Sequence, residues 1–240
     1  MEWQVFLTGD ESDLNELSKS FCCPDLVIAR GEDGFVLRWS RLRDLNEVDA
    51  VRREAESVLV LLNGAARLLL HSTLPIAIGR IVLVRDDGSK GSFVSVSGTI
   101  RARARASATA TVKRADGVEE RFNEADPVAE WVKAGLGNEA IARVLKLLAT
   151  KPLDWKNLYP ILEVVESDMG GLKPIAQQGW ATRAALKRFK HTANSVFAIG
   201  DEARHGTEPT QPPADPMTLS EARSFIETIL HNWLRTKQNP

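Results

Sequence analysis

One six-residue run gathers the side chains best able to do chemistry. In Asp201-Glu202-Ala203-Arg204-His205-Gly206, two carboxylates, a guanidinium and an imidazole stand together and a glycine closes the run. An imidazole titrates near neutrality and can give or take a proton, while a guanidinium grips a phosphate with a planar fork. Asp201 is near enough in sequence to orient His205 and raise its proton affinity, which suits a general acid. Arg204, His205 and Asp201 are therefore the candidate catalytic residues, acting at a phosphate. A plainer role is also open to them: Arg204 and His205 can cap a helix end or pair with Asp201 and Glu202.

The segments on either side must position this run, and both read as long helices. Residues 174–197 (PIAQQGWATRAALKRFKHTANSVF) offer Trp180, Ala184, Phe189, Val196 and Phe197 as one apolar stripe. Residues 217–234 (MTLSEARSFIETILHNWL) offer Phe225, Ile226, Ile229, Leu230, Trp233 and Leu234 as another. The proline-rich stretch 208–216 (EPTQPPADP) reads as a stiff, extended connector.

A long Lys- and Arg-bearing helix, a turn with Arg-His-Gly and a second helix opening on Ser-Glu-Ala resemble the HEPN ("higher eukaryotes and prokaryotes nucleotide-binding") helical domains. The resemblance spans residues ~125–236. It implies a helical fold and an RNA-acting or RNA-binding module of a bacterial stress or phage-defence system, as a metal-independent endoribonuclease where activity is kept. Members that cut RNA carry Arg, four to six residues, then His; here Arg204 directly adjoins His205, and Arg188 lies much further upstream. Some members have lost activity, so the alternative is a non-catalytic protein that dimerises or serves as an adaptor for a partner protein.

A second basic feature lies upstream. From Val94 to Val112 apolar and polar residues alternate, with Arg101, Arg103 and Arg105 on one face and Ala102, Ala104 and Ala106 on the other. Period-two alternation predicts a strand, and arginines two apart on it stand ~6–7 Å apart, a spacing that suits substrate phosphates. No aromatic residue follows Phe93 on that face to stack a base, and a solvated edge strand explains the same pattern.

Other chemistries find less. His191, His205 and His231 with Asp201 do not follow a metal-ligand spacing, so neither metal nor cofactor is expected. The acidic run Glu163-Val164-Val165-Glu166-Ser167-Asp168 could hold a divalent ion or simply form a solvated helix end. No glycine-rich phosphate loop and no nucleophile elbow is present.

The balance of 31 basic against 32 acidic residues in 240 argues against a protein built wholesale around a polyanion, while leaving room for a local basic patch. The two cysteines, Cys22 and Cys23, are adjacent and imply no disulfide framework. With no basic, apolar leader and no apolar run of ~18–20 residues, a cytoplasmic protein without a membrane partner is expected.

The fold class read from the chain is α+β, with an α+β domain over 1–122 and a helical domain over 123–240. In the first, a strand over 3–7 precedes a helix capped by Asp10. Hairpins are signalled by Arg30-Gly31-Glu32-Asp33-Gly34 and by Asp86-Asp87-Gly88-Ser89, and a helix capped by Asn46 runs to about Leu70 between them. In the second, Asp126 and Pro127 open a helix that Gly135 closes, Asn138 caps the next, and Asp154 opens a third that Pro160 should kink or delay.

Overall fold

The computed structural model describes residues 1–23, 25–94, 109–113, 119–123, 126–204 and 211–237. They form an α+β protein of two compact units, Met1–Leu136 and Gly137–Pro240. Arg101, Arg103, Arg105 and His205 lie outside the described residues, as does the alanine face opposite those arginines.

The first unit is organised on its first strand. β1 (Glu2–Thr8) buries Trp3, Val5 and Leu7 while Gln4 and Phe6 take the opposite face. Its two neighbours come from two hairpins: β3 (Leu26–Gly31) with β4 (Gly34–Trp39), and β5 (Ala77–Val84) with β6 (Lys90–Val94). With the short β2 (Cys22–Cys23) they make an antiparallel sheet of order β2-β3-β4-β1-β5-β6. Both hairpins fall where glycine and aspartate signal them, and Gly88 takes a φ of 81° that a side chain would resist.

α1 (Glu11–Ser20) starts where Asp10 accepts the amides of Ser12 and Asp13 at 2.9 and 3.3 Å, and it packs on β3. α2 (Val48–Leu69) is one continuous helix that packs on β5. Its cap position is Glu47 rather than Asn46, with no side-chain cap bond. Asn63 on α2 donates to the Ile76 carbonyl at 2.8 Å and accepts the Ile76 amide at 2.7 Å, which ties the entry of β5 to the helix.

The two described ends of the expected 94–112 strand belong to different sheets. β6 is an edge of the six-stranded sheet, whereas β7 (Thr109–Lys113) pairs with β8 (Glu119–Asn123) in a separate ribbon. Among the described residues no strand follows Asn123. α3 (Asp126–Gly137) contains Gly135 instead of ending there, and it buries Val128, Trp131 and Val132.

In the second unit, α4 (Glu139–Thr150) is capped by Asn138 and α5 (Trp155–Asp168) by Asp154. Pro160 neither delays nor ends α5, which begins at Trp155 and runs through the proline. α5 packs against α4, against α7 (Arg183–Asn194) and against α9 (Leu219–Thr236). Phe189 joins these elements: its ring lies 5.6 Å from Trp155, 6.3 Å from Tyr159 and 5.6 Å from Phe225.

The single helix expected over 174–197 is three. α6 (Leu172–Gln177) gives way to Gly179, whose φ of 74° and N–H donating to the Ala176 carbonyl reverse the chain. Thr182 then caps α7, and Ser195 separates it from α8 (Val196–Ile199). Each restart resets the helical phase, so of the expected stripe only Phe189 is fully buried. Ala184 is exposed, Phe197 is 66% exposed, and Leu186, Thr192 and Ala193 face inward beside Phe189. The C-terminal stripe holds, with Ile226, Ile229, Leu230, Trp233 and Leu234 buried, although Phe225 is only half-buried. Thr218 and Glu221 close a reciprocal capping box at the start of α9.

Candidate nucleic-acid interface

The structure brings Asp201 and Arg204 into one short segment after α8. Residues Gly200–Glu202 form a 3₁₀ turn, Ala203 is buried, and the Arg204 amide donates to the Ala193 carbonyl at 3.0 Å. That bond returns the chain to the C-terminal end of α7 and sets where the Arg204 side chain leaves the backbone. The guanidinium then lies 4.4 Å above the Tyr159 ring and 3.1 Å from Glu163, with 42% of the side chain still exposed. Asp201 is exposed on the turn. A ring beneath a guanidinium fixes its plane and leaves its outer edge open to an anion, a geometry in which arginine differs from lysine.

Tyr159 serves a second cation. Lys190 places its ammonium 5.8 Å from the same ring and bonds Glu166 at 2.5 Å, with both side chains about three-quarters buried. Further along α5, Asp168 accepts from the Trp233 indole at 2.8 Å and from Lys237 at 2.7 Å. Burial pushes the Asp168 carboxyl up, but the bonds from Lys237 and Trp233 and the Lys237 charge outweigh it, holding its pKa below the usual value. The acids of this run are thus engaged in ion pairs rather than simply solvated. Glu163, Glu166 and Asp168 each receive a cation from a later element.

α7 carries the opposite charge. Over 12 residues it holds Arg183, Lys187, Arg188, Lys190 and His191 and no acid. Its edges are tied down. Lys190 bonds Glu166, and Arg188 holds the Asp215 carboxylate at 2.9 Å and the Asp215 carbonyl at 2.6 Å. Thr192 accepts the Met217 amide at 3.1 Å, and Nε2 of His191 lies 2.6 Å from the Gln211 carbonyl. These contacts strap residues 211–217 onto the helix. The centre of the face stays open: Arg183 and Lys187 are exposed, and no ion pair to either occurs among the described residues.

Nothing in the Arg204-His205 run points to this face. Its signal was nonetheless written in RAALKRFKHTAN, a helix-length segment with four permanent cations and no carboxylate. Among the described residues no group of three or more His, Cys, Asp or Glu could hold a metal ion, and no helix is long and apolar enough to cross a membrane. Compared with protein-family models, curated proteins and solved structures, the chain matches none.

Proposed function

We propose that the second unit is an RNA-acting or RNA-binding module of the HEPN-like kind, with Arg204 gripping a phosphate beside His205 and Asp201, in a cytoplasmic protein. The observation that supports this reading is the Arg204 guanidinium, which lies 4.4 Å over the Tyr159 ring with 42% of its side chain exposed and, among the described residues, only the Glu163 carboxylate to displace. If the module cuts RNA, His205 is the general acid, Asp201 orients it, and no metal takes part. Arg101, Arg103 and Arg105 form an outer phosphate contact in the same reading. The test is binding and cleavage of labelled RNA with a chelator present. Arg204→Ala weakens binding several-fold with little change in melting temperature, and His205→Ala abolishes any cutting while the fold persists. A wild type that neither binds nor cuts RNA defeats the proposal.

A second reading draws on Glu163. Its carboxylate occupies the fork of Arg204 at 3.1 Å, so a phosphate must displace it. A non-catalytic interaction protein, engaged as a homodimer or as an adaptor for a partner protein, needs Arg204 only as this clasp. In that case Arg204→Ala lowers the melting temperature by several degrees, and light scattering finds a stable assembly indifferent to RNA.

A further inference from the structure

Two features of the second unit lie apart from the Asp201-to-His205 run, one on the first half of α7 and one just beyond its C-terminal end. The first is the open basic face. At 3.6 residues per turn, Arg183 and Lys187 stand one above the other, ~6 Å apart along the axis, on the exposed flank beside the buried stripe of Leu186, Phe189 and Ala193. Arg183 occupies the first position of the helix after the Thr182 cap, where a cation gains nothing from the helix dipole. The second is Phe197 on the one-turn helix α8 just beyond, 66% exposed in a unit whose other described aromatic rings are half-buried or buried. The Arg204 amide returns to the Ala193 carbonyl at this same end of α7.

A row of unpaired cations leading to an exposed aromatic ring is the arrangement that holds a single nucleic-acid strand. The cations follow the backbone phosphates, and the ring accepts the π-face of a base that a duplex would keep stacked. We infer that the exposed face of α7 binds single-stranded nucleic acid, with Arg183 and Lys187 on successive phosphates, Arg204 on a third and a base stacked on Phe197. An acidic protein segment would answer the charge but leave Phe197 without a role. A duplex would answer the charge but offer no free base. His191 continues the row, with Nε2 engaged at the Gln211 carbonyl, and is not counted among the phosphate contacts. This inference rests on the nucleic-acid reading above and moves the main contact surface from the Arg204 turn to α7.

The test uses the full chain and fluorescein-labelled strands of about 12 nucleotides, read by anisotropy across a salt series. RNA and DNA of one sequence, each single-stranded and as a duplex, form four arms. Three phosphate contacts on a single strand give a log–log salt slope of about −2. The double variant Arg183→Glu with Lys187→Glu should weaken single-strand binding at least tenfold and flatten that slope by about 1.4. Phe197→Ala should weaken binding at least fivefold and leave the slope unchanged, since stacking carries no counterion. Reversing charge at Arg183 places a carboxylate in the first turn, where the helix dipole favours it, so the fold persists and circular dichroism verifies it.

A preference for RNA over DNA would place the discrimination at the sugar, and equal binding would place it in the backbone; either supports the inference. Wild-type binding to RNA that both variants leave unchanged overturns the inference while leaving the Arg204 reading intact. Tighter binding to duplex than to single strand overturns it too. A wild type that ignores every strand overturns both readings, and capture of polyglutamate through α7 would then mark an acidic protein partner.

Discussion

α5 and α7 lie against each other in one unit, carry charge of opposite sign, and use it in opposite ways. α5 presents Glu163, Glu166 and Asp168, and Arg204, Lys190 and Lys237 cover them one for one. α7 presents a longer run of cations, yet only its edges are covered, by Glu166 on one side and by Asp215 and Glu221 on the other. The acidic face fastens the unit internally, while the centre of the basic face is left for solvent or a ligand. A charged stretch acquires a structural or a binding role from what the rest of the chain brings opposite it, and composition alone does not distinguish the two.

The comparison can be broken hardest at the far end of α5. Trp233 is fully buried and its indole donates to Asp168. Trp233→Ala should cost ~3–5 kcal/mol in chemical denaturation, because it opens a cavity and removes a donor from a carboxylate. A loss under about 1 kcal/mol would mean that α9 is not docked through this contact.

Asp168→Asn is the next largest, at about 1.5–3 kcal/mol near neutral pH, since it takes the charge from two hydrogen bonds. The effect also depends on pH. The Asp168 carboxyl has its pKa lowered in the folded chain, so its contribution is present above the ordinary carboxylate pKa and is lost as pH falls through the folded value. The wild type should therefore lose melting temperature at the acid end, and Asp168→Asn should show a shallower acid limb. Parallel acid limbs would show that this carboxylate is not linked to folding.

The contrast between the faces sharpens with lysine pairs. Lys190→Ala removes a mostly buried pair with Glu166 and should cost about 1 kcal/mol, with a measurable coupling in a double-mutant cycle. Lys187→Ala, three residues away on the open face, should move stability by less than about 0.5 kcal/mol. Equal costs would erase the distinction between a fastened and an open face.

A small stability change is also expected from Glu163→Gln, whose pair with Arg204 is about two-fifths exposed on both sides. Its informative readout is affinity. Releasing the Arg204 fork from a competing carboxylate should tighten binding to single-stranded RNA two- to fivefold, an effect worth roughly 0.4–1 kcal/mol. Unchanged affinity would place Arg204 off the binding surface.

Most local signals in the chain, where one side chain answers a nearby backbone group, were reliable, the Asn46 cap being an exception. Asp10, Asn138 and Asp154 each cap the helix that follows because their carboxylate or amide oxygens reach amides two or three residues ahead. The two hairpins could be read from their Gly and Asp turns for the same reason. The segment 174–197 misled because its apolar residues suggest one period, while Gly179 and Thr182 stop and restart the helix within it. Of the candidate site, Arg204 and Asp201 were legible as a chemically able pair. That Glu163 and Tyr159 would engage Arg204, from some 40 residues upstream, was not.

The sequence by itself determined the α+β class, the amphipathic α2 and α9, the caps at Asp10, Asn138 and Asp154, the two hairpin turns, and the presence of a strongly basic segment before Arg204. These depend on periodicity and on contacts within a few residues, which the order of side chains states directly. Only the tertiary structure decided that β1 would sit between the two hairpins, and that the ends of the 94–112 segment would part into separate sheets. It alone decided that α5's carboxylates would be spent on Arg204, Lys190 and Lys237 while Arg183 and Lys187 stayed exposed. Strand order and charge pairing join residues tens of positions apart, and packing among the elements as a whole selects among the many local arrangements one sequence permits.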